Sequence, residues 1–294
     1  MIKETFAKGI LLPTQNPESW FGAKYTMNIY RGCEHQCIYC DSRSTCYQIE
    51  NFDDVEVKIN VLDLLQKALK GKRSKAVVGT GSMSDPYTLC EQSYELTRKA
   101  LRLISSYGFG IHINTKSDMI LRDLDILNTF LNRVTVAFTL TTADDNLARL
   151  VEPYAPLPSQ RLAAMKTLSD AGIPVGVLMM PVLPYIEDTP KGIGRLLEAI
   201  AAHGAVFCIW HAGMTCREGQ REYYYRKLDE HFPGVKDRYI RQYGNQYACA
   251  SPQKAALDEK IRAFCEQTGL ITDFDTLLKR YPEHQPVQGT LFSE

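Results

Sequence analysis

Short runs of β-branched and other apolar residues alternate with stretches in which apolar positions recur every three or four residues. Residues 25–30, 75–79, 110–115, 133–140, 174–180 and 205–210 read as strands. Between them, 60–70, 91–106, 119–130, 159–171 and 190–203 carry helical spacing. Punctuation marks several ends: Thr189 before Pro190 fits an N-cap followed by the first helical position, and Gly172 stands just past the helix ending at Ala171. Such alternation predicts parallel strands joined by right-handed crossovers. The strand at 175–180 is apolar on both faces, as expected where helices cover a sheet. Alternation alone leaves two architectures open, an open α/β sheet and a barrel short of eightfold closure.

After Trp210 the rhythm changes. Residues 217–231 form a tyrosine-rich helical pattern, 235–243 and 252–268 continue it, and 272–280 add a last segment before a polar tail. The expected division is a core over 1–212 and a mainly helical extension over 213–294. That extension is expected to pack over an edge or the bottom of the sheet, with substrate recognition as its alternative role.

Charge changes the picture little. Lys plus Arg and Asp plus Glu stand at 34 each, so the chain has no long-range pull toward nucleic acid or an anionic membrane. A local basic groove stays open. Residues 221–241 interleave basic side chains with Tyr223, Tyr224, Tyr225 and Tyr239, which suits base stacking, but acidic residues offset most of that charge. A packing helix is the simpler reading. No run approaches the roughly 20 apolar residues that cross a bilayer, and the N-terminal stretch does not fit a signal peptide. A cytoplasmic protein is expected.

The chain has nine cysteines, and in a reducing compartment a clustered set points to metal or chemistry before disulfides. One cluster exists: Tyr30-Arg-Gly-Cys-Glu-His-Gln-Cys-Ile-Tyr-Cys-Asp-Ser-Arg43 spaces Cys33, Cys37 and Cys40 as CxxxCxxC after the first strand. Three thiolates in one loop suit a soft metal. Zinc would need a fourth ligand, His35 or distant Cys46, whereas a 4Fe–4S cluster would keep one iron open.

This motif, with an aromatic residue (Tyr39) before the last cysteine, resembles the signature of the radical S-adenosylmethionine (SAM) superfamily. Further segments resemble the branch related to spore photoproduct lyase, often labelled DNA repair photolyases. They are Ser82-Met-Ser-Asp-Pro-Tyr87, Asn114-Thr-Lys-Ser117, residues 133–142, Leu150-Val-Glu-Pro-Tyr-Ala-Pro156, Arg161-Leu, Ala171-Gly-Ile-Pro174 and Met180-Pro-Val-Leu-Pro184. The likeness covers roughly residues 20–210.

The resemblance implies an α/β fold, a partial TIM-like (β/α)6 barrel, with the 4Fe–4S cluster on Cys33, Cys37 and Cys40. It implies SAM on the open iron, cleaved reductively to methionine and a 5′-deoxyadenosyl radical that takes hydrogen from a substrate the sequence does not name. An external electron donor of flavodoxin or ferredoxin type follows, with lyase-like chemistry. Nucleic acid is a possible substrate with weak support in the sequence, and no membrane partner is expected. A non-catalytic iron–sulfur or zinc protein is the alternative of another class.

In a barrel of this kind the loops after the strands form the ligand face. By resemblance Ser84, Lys116 and Thr139 contact SAM; Lys116 suits its carboxylate, and the hydroxyls its carboxylate or ribose. Asp85 meets the amino group or holds other donors, or else caps its own turn. Tyr39 and Ile38 flank the adenine or shield the cluster. Glu152 fixes the loop above, Asp123 has a structural role, and Arg31 and Arg43 either balance cluster charge or are solvated. A second metal site from Cys208, Cys216, Cys249 and His211 is the weaker expectation, with Cys265 as a buried thiol. In the lyase a cysteine precedes the small-residue-Ser-Asp segment and returns hydrogen to the product. Ser82 holds that place here, leaving Cys90, Tyr87 and Tyr185 as alternative donors.

Overall fold

A computed structural model of the chain describes residues 1–49, 51–130 and 133–281. Six parallel strands stand side by side in chain order: β1 (Ala23–Met27), β2 (Val77–Thr80), β3 (Gly110–Thr115), β4 (Val134–Thr139), β5 (Val175–Met179) and β6 (Phe207–Trp210). The antiparallel segment Leu11–Pro13 borders β1 and makes the sheet seven-stranded. β2, β3 and β5 are buried along their whole length, because helices cover the outer face and side chains fill the inner one. Inside, Phe21, Ala137, Leu178, Phe207 and Ile209 form one apolar cluster, and the ring of Phe21 stacks on His112 at 3.6 Å. The result is a mixed α/β, barrel-like sheet with a helical extension.

The crossover helices follow the apolar spacing, with informative departures. Val61–Lys70, Pro158–Asp170 and Pro190–Ala202 form as expected, the last with the Thr189 hydroxyl accepting the Gly192 N–H at 3.1 Å. The expected helix at 91–106 breaks at Glu95, which takes a left-handed φ of 52°. Its cause is Glu91, whose buried carboxylate accepts the backbone N–H groups of Thr97 and Arg98 and so starts a second helix, Leu96–Ser106. Residues 119–130 are not one helix either. A 3-10 turn over Asp118–Asp123 precedes the short helix Leu124–Leu127, and buried Asp123 is ion-paired to Arg98 and Arg122 at 2.7 and 2.9 Å. Residues 131–132 of β4's lead-in, and the polar tail after 281, lie outside the described residues.

The first strand also ends early. The chain leaves the barrel after Met27, and Tyr30–Arg31 pairs instead with Val55–Lys58, which in turn pairs with Ile2–Thr5. This three-stranded side sheet brackets the cysteine loop at both ends.

The extension is less purely helical than expected. Gly213–Thr215 and Ala248–Ala250 form a two-stranded hairpin that encloses the helices Gln220–His231 and Val235–Tyr243. Tyr224, Tyr239 and Tyr243 are buried against one another there, so this tyrosine-rich segment is a packing unit. Lys254–Thr268 lies on Pro190–Ala202, Ile271 bridges to Phe207, and Phe274–Arg280 closes the barrel bottom against Trp20 and Phe21. No helix among the described residues is long and apolar enough to cross a membrane.

Candidate active site

The C-terminal ends of the strands open on one cavity of about 340 Å³. Cys33, Cys37, Tyr39 and Cys40 enter it from the cysteine loop, Ser84 and Asp85 from the segment after β2, Lys116 from that after β3, and Thr139 from the end of β4. All eight residues singled out from the sequence as cluster or cofactor contacts therefore line a single space.

The loop that carries the cysteines is anchored on several sides. Gly32 has φ +85°, and a Cβ there would sit 2.4 Å from the Asp54 carbonyl oxygen, so the turn into Cys33 admits only glycine. The Glu34 carboxylate accepts the Cys90 N–H at 2.6 Å and the Thr88 hydroxyl at 3.2 Å. The Ile38 N–H donates to the Val151 carbonyl at 2.9 Å, and the Gln220 side-chain amide donates to the Tyr39 carbonyl at 2.7 Å. The extension thus holds the loop from the far side, and Gly213, Met214 and Thr215 complete the cavity wall.

Asp85 is the joint between two strand ends. Its Oδ1 accepts the Thr115 hydroxyl at 2.7 Å and the Tyr87 N–H at 2.9 Å, while Oδ2 accepts the Lys116 N–H at 2.7 Å. The turn-capping and donor-holding roles expected for it are the same set of bonds. His35 stands beside it, with Nδ1 3.5 Å from Oδ2.

Behind the lining residues Tyr39 and Lys116, Glu152 is buried and ion-paired to Arg161 at 2.5 Å. It also accepts the Tyr39 hydroxyl and lies 3.9 Å from the Lys116 ammonium. Burial acts to raise the Glu152 carboxyl, but Arg161 and Lys116 outweigh it and hold the group below the usual carboxylate range. At Lys116 burial opposes the charge, yet Cys37 and Glu152 more than restore it. The site therefore presents an ammonium group at the cavity wall that is buried and still charged. Sequence reasoning placed Glu152 over the opening and singled out Arg161 by resemblance without giving it this role; the hairpin left no signal.

Burial pushes the Cys37 and Cys40 thiols up. At Cys33 burial acts the same way but is outweighed by His35, and that thiol lies below its usual range. Among the described residues no three His, Cys, Asp or Glu side chains stand in a metal-holding arrangement; the three thiols share the cavity wall without converging. Cys46 is exposed and turned to Ser44 and Arg217, at 2.9 and 3.1 Å. The three cysteines expected at a second metal do not gather: Cys208 neighbours Cys265, the buried thiol of the last long helix, while Cys216 neighbours Cys249.

The sequence profile of the radical SAM superfamily matches residues 27–197, more than half of the chain and all of the segments that build this cavity's first four walls. The chain belongs to the radical SAM superfamily.

An uncharacterised protein of Mycobacterium tuberculosis is 30% identical over 282 residues, covering 92% of this radical SAM chain and 82% of the relative. One of Methanocaldococcus jannaschii is 35% identical over 192 residues, covering 64% and 70%. Among solved structures, spore photoproduct lyase complexed with dinucleoside spore photoproduct superposes with a TM-score of 0.69 at 15% identity, covering 92% of this chain and 81% of that one. This likeness is one of fold. As a radical SAM enzyme the chain needs its cavity closed against solvent, and Met180 and Pro181, joined by a cis peptide, cover one side of it.

Several side chains expected near the chemistry stand elsewhere. Cys90 and Tyr87 pack in the main core and do not line the cavity. Tyr185 lies under the Arg238 guanidinium at 3.9 Å, so none of the three alternative donors lines the cavity, whereas Ser82, in the place of the donor cysteine, does. Arg31 serves the Tyr47 and Gln48 carbonyls, and Arg43 pairs with Asp53 at 2.5 Å and lies 3.8 Å over the Tyr223 ring.

Proposed function

We propose that this radical SAM enzyme holds a 4Fe–4S cluster on Cys33, Cys37 and Cys40, cleaves SAM, and acts on a nucleic-acid substrate in the manner of a photoproduct lyase-like repair or modification enzyme. The observation that carries the first part is the shared cavity. It brings three soft thiol donors into one space with a charged ammonium, two hydroxyls and a carboxylate, which matches the polar groups of an amino acid joined to a nucleoside. His35 Nε2, buried in the same wall, has no hydrogen-bond partner of its own among the described residues. In chemical kind this donor set fits the cofactors, with the three thiols on one loop free to draw together on a cluster.

With both groups bound, the cluster held by Cys33, Cys37 and Cys40 would supply one-electron reduction and SAM would supply the hydrogen-abstracting radical chemistry. The chain's own residues bind and orient. Lys116 offers its ammonium to the SAM carboxylate, and Ser84 and Thr139 offer hydroxyls to the carboxylate or ribose. Asp85 positions Lys116 through the backbone. Tyr39, fixed by Glu152, forms the wall beside the thiols, and Met180 with Pro181 keeps water out of the space where a radical would react. The electron comes from an external donor of flavodoxin or ferredoxin type. Nucleic acid as substrate is supported by the fold likeness to spore photoproduct lyase, which extends over the C-terminal extension as well as the barrel.

The test is anaerobic reconstitution followed by dithionite reduction with SAM. About four irons per chain and formation of 5′-deoxyadenosine are expected, both lost in Cys37→Ala. A reducible cluster that forms no 5′-deoxyadenosine would favour a non-catalytic iron–sulfur protein, and bound zinc without iron a zinc protein. Product analysis with damaged and undamaged oligonucleotides tests the substrate class.

A further inference from the structure

A second concavity adjoins the central one. On its outer side, among the described residues, β6 pairs only with Ile271: the Cys208 N–H donates to the Ile271 carbonyl at 2.9 Å, and the Ile271 N–H to the Val206 carbonyl at 3.0 Å. Beyond that point the chain turns away at Asp273, which caps the last helix by accepting the Thr276 N–H at 2.7 Å. The sheet edge at Trp210 is left bordering a groove. Two hollows of about 230 and 330 Å³ open there, and Trp210, Arg262 and Thr272 line both. His211 lines the first hollow and the central cavity alike, so the groove reaches the candidate active site with one residue between.

The chemistry of this groove is specific. The Trp210 indole N–H donates to Asp258 Oδ1 at 2.8 Å, which fixes the ring, and the other Asp258 oxygen takes Lys254. Asp258 is thereby fully engaged. The Arg262 guanidinium lies 5.9 Å from the Trp210 ring centre and has no hydrogen bond or ion pair among the described residues. Burial and Lys254 hold the His211 imidazole below its usual range, so near neutral pH it offers one donor and one acceptor. The guanidinium lies over one side of the fixed indole and shares Asp258 only through space, so it keeps its hydrogen-bond donors for an anion while the indole offers an aromatic ring a surface. The outer hollow sets Glu266 and Asp273 against Arg262, whereas the inner one sets Lys254 and Arg262 against Asp258, so an anion is better placed in the inner hollow beside His211.

We propose that this groove binds a nucleotide unit of the substrate, its base against Trp210 and its phosphate at Arg262, beside the unit presented to the radical. The proposal rests on the reading of the substrate as nucleic acid and deepens it, assigning a subsite in the extension and the adjoining end of β6.

The chain has two tryptophans, so Trp20→Phe leaves Trp210 as the only indole emitter. The reconstituted Trp20→Phe holoenzyme is titrated with single-stranded tetrathymidylate, with thymidine and inorganic phosphate as separate arms. Saturable quenching by tetrathymidylate, weaker by each part alone, is expected. Arg262→Ala should raise the dissociation constant about tenfold and lower the slope of log affinity against log salt by about 0.7. Arg262→Lys should recover part of both. An unchanged circular dichroism spectrum and melting temperature in Arg262→Ala would show that the loss is not unfolding. Absence of quenching, or equal affinity in Arg262→Ala, overturns the proposal. Formation of 5′-deoxyadenosine by the wild-type enzyme without oligonucleotide reads the radical chemistry separately. Quenching without that product would leave the groove standing while the proposed chemistry falls, and the product without any tetrathymidylate binding would do the reverse.

Discussion

Asp85 Oδ2 accepts the backbone N–H of Lys116 at 2.7 Å, so the carboxylate following β2 fixes the segment that follows β3. Its other oxygen holds the Thr115 hydroxyl and the Tyr87 N–H, and His35 Nδ1 stands 3.5 Å from the remaining side of Oδ2. Asp85→Asn replaces one of these acceptors with a donor. A buried N–H or hydroxyl then loses its partner, which costs about 1–3 kcal/mol in stability by urea unfolding. Because Lys116 shifts with its backbone, the KM for SAM in the 5′-deoxyadenosine assay should rise more than kcat falls. A variant with wild-type KM would show that Asp85 only holds the strands together.

Glu152 and Arg161 form a buried ion pair at 2% and 1% side-chain exposure. Glu152→Gln leaves the guanidinium without its counter-charge, and removing one partner of such a pair typically costs about 3–5 kcal/mol. Arg161→Met with Glu152→Gln should be closer to wild type than Glu152→Gln alone. The pair also sets acid sensitivity. The Glu152 carboxyl lies below its ordinary value of 4.5 in the folded chain, so its contribution is present above 4.5 and is lost as pH falls through the folded value. Thermal melts between pH 6 and 3 should fall less steeply in the double variant, since it has no Glu152 to protonate.

Glu187 behaves in the opposite sense. It is buried with the Thr141 hydroxyl and the Leu183 N–H as its donors, and desolvation pushes its carboxyl up to about 8. From pH 4.5 to 8 the folded chain keeps a proton there that the unfolded chain has lost. Stability from this group is complete below 4.5 and declines as pH rises, with a slope of up to about 1.4 kcal/mol per pH unit. Glu187→Gln should flatten the melting-temperature profile between pH 6 and 9, and be relatively more stable at the alkaline end. Equal slopes in both proteins would show that Glu187 is ionised throughout.

Much of this arrangement was readable from local pattern. The six barrel strands follow apolar runs because burial on both faces removes the polar alternation that makes other strands ambiguous. CxxxCxxC and the short segments after β2, β3 and β4 located the cavity because the fold gathers strand ends whatever the sequence between them. What periodicity missed were polar bonds, which apolar spacing does not register. Glu91 splits an apparent helix by capping its second half at Thr97 and Arg98, and Asp123 reshapes another by pairing with its neighbour Arg122 and with Arg98 of the preceding helix. The hairpin wall at Gly213–Thr215 was missed for a different reason. Its partner strand, Ala248–Ala250, lies beyond two helices, and three-residue strands carry too little pattern to be seen.

The last prediction concerns hydrogen return. Fragmentation of spore photoproduct by the lyase route leaves a carbon radical that must recover a hydrogen atom. A thiol suits that step because its S–H bond is weak, whereas the O–H bond of a serine is far too strong. Ser82 occupies the place that the resemblance assigns to the donor cysteine, and it is exposed at the cavity. Cys90 packs in the main core away from the cavity, its thiol pushed up by burial and by Glu34. Tyr87 is fully buried there too. Reduced wild-type enzyme with SAM and authentic spore photoproduct should therefore form 5′-deoxyadenosine without catalytic recovery of thymine. Ser82→Cys should bring a thiol to the cavity and increase thymine recovery per 5′-deoxyadenosine formed, while Cys90→Ala should leave that ratio unchanged. Efficient thymine recovery by the wild type would overturn this reading, and its loss in Cys90→Ala would identify Cys90 as the donor despite its burial. A wild type that consumes SAM but restores no thymine, with Ser82→Cys no better, points to a different lesion or base as substrate, with the radical chemistry intact.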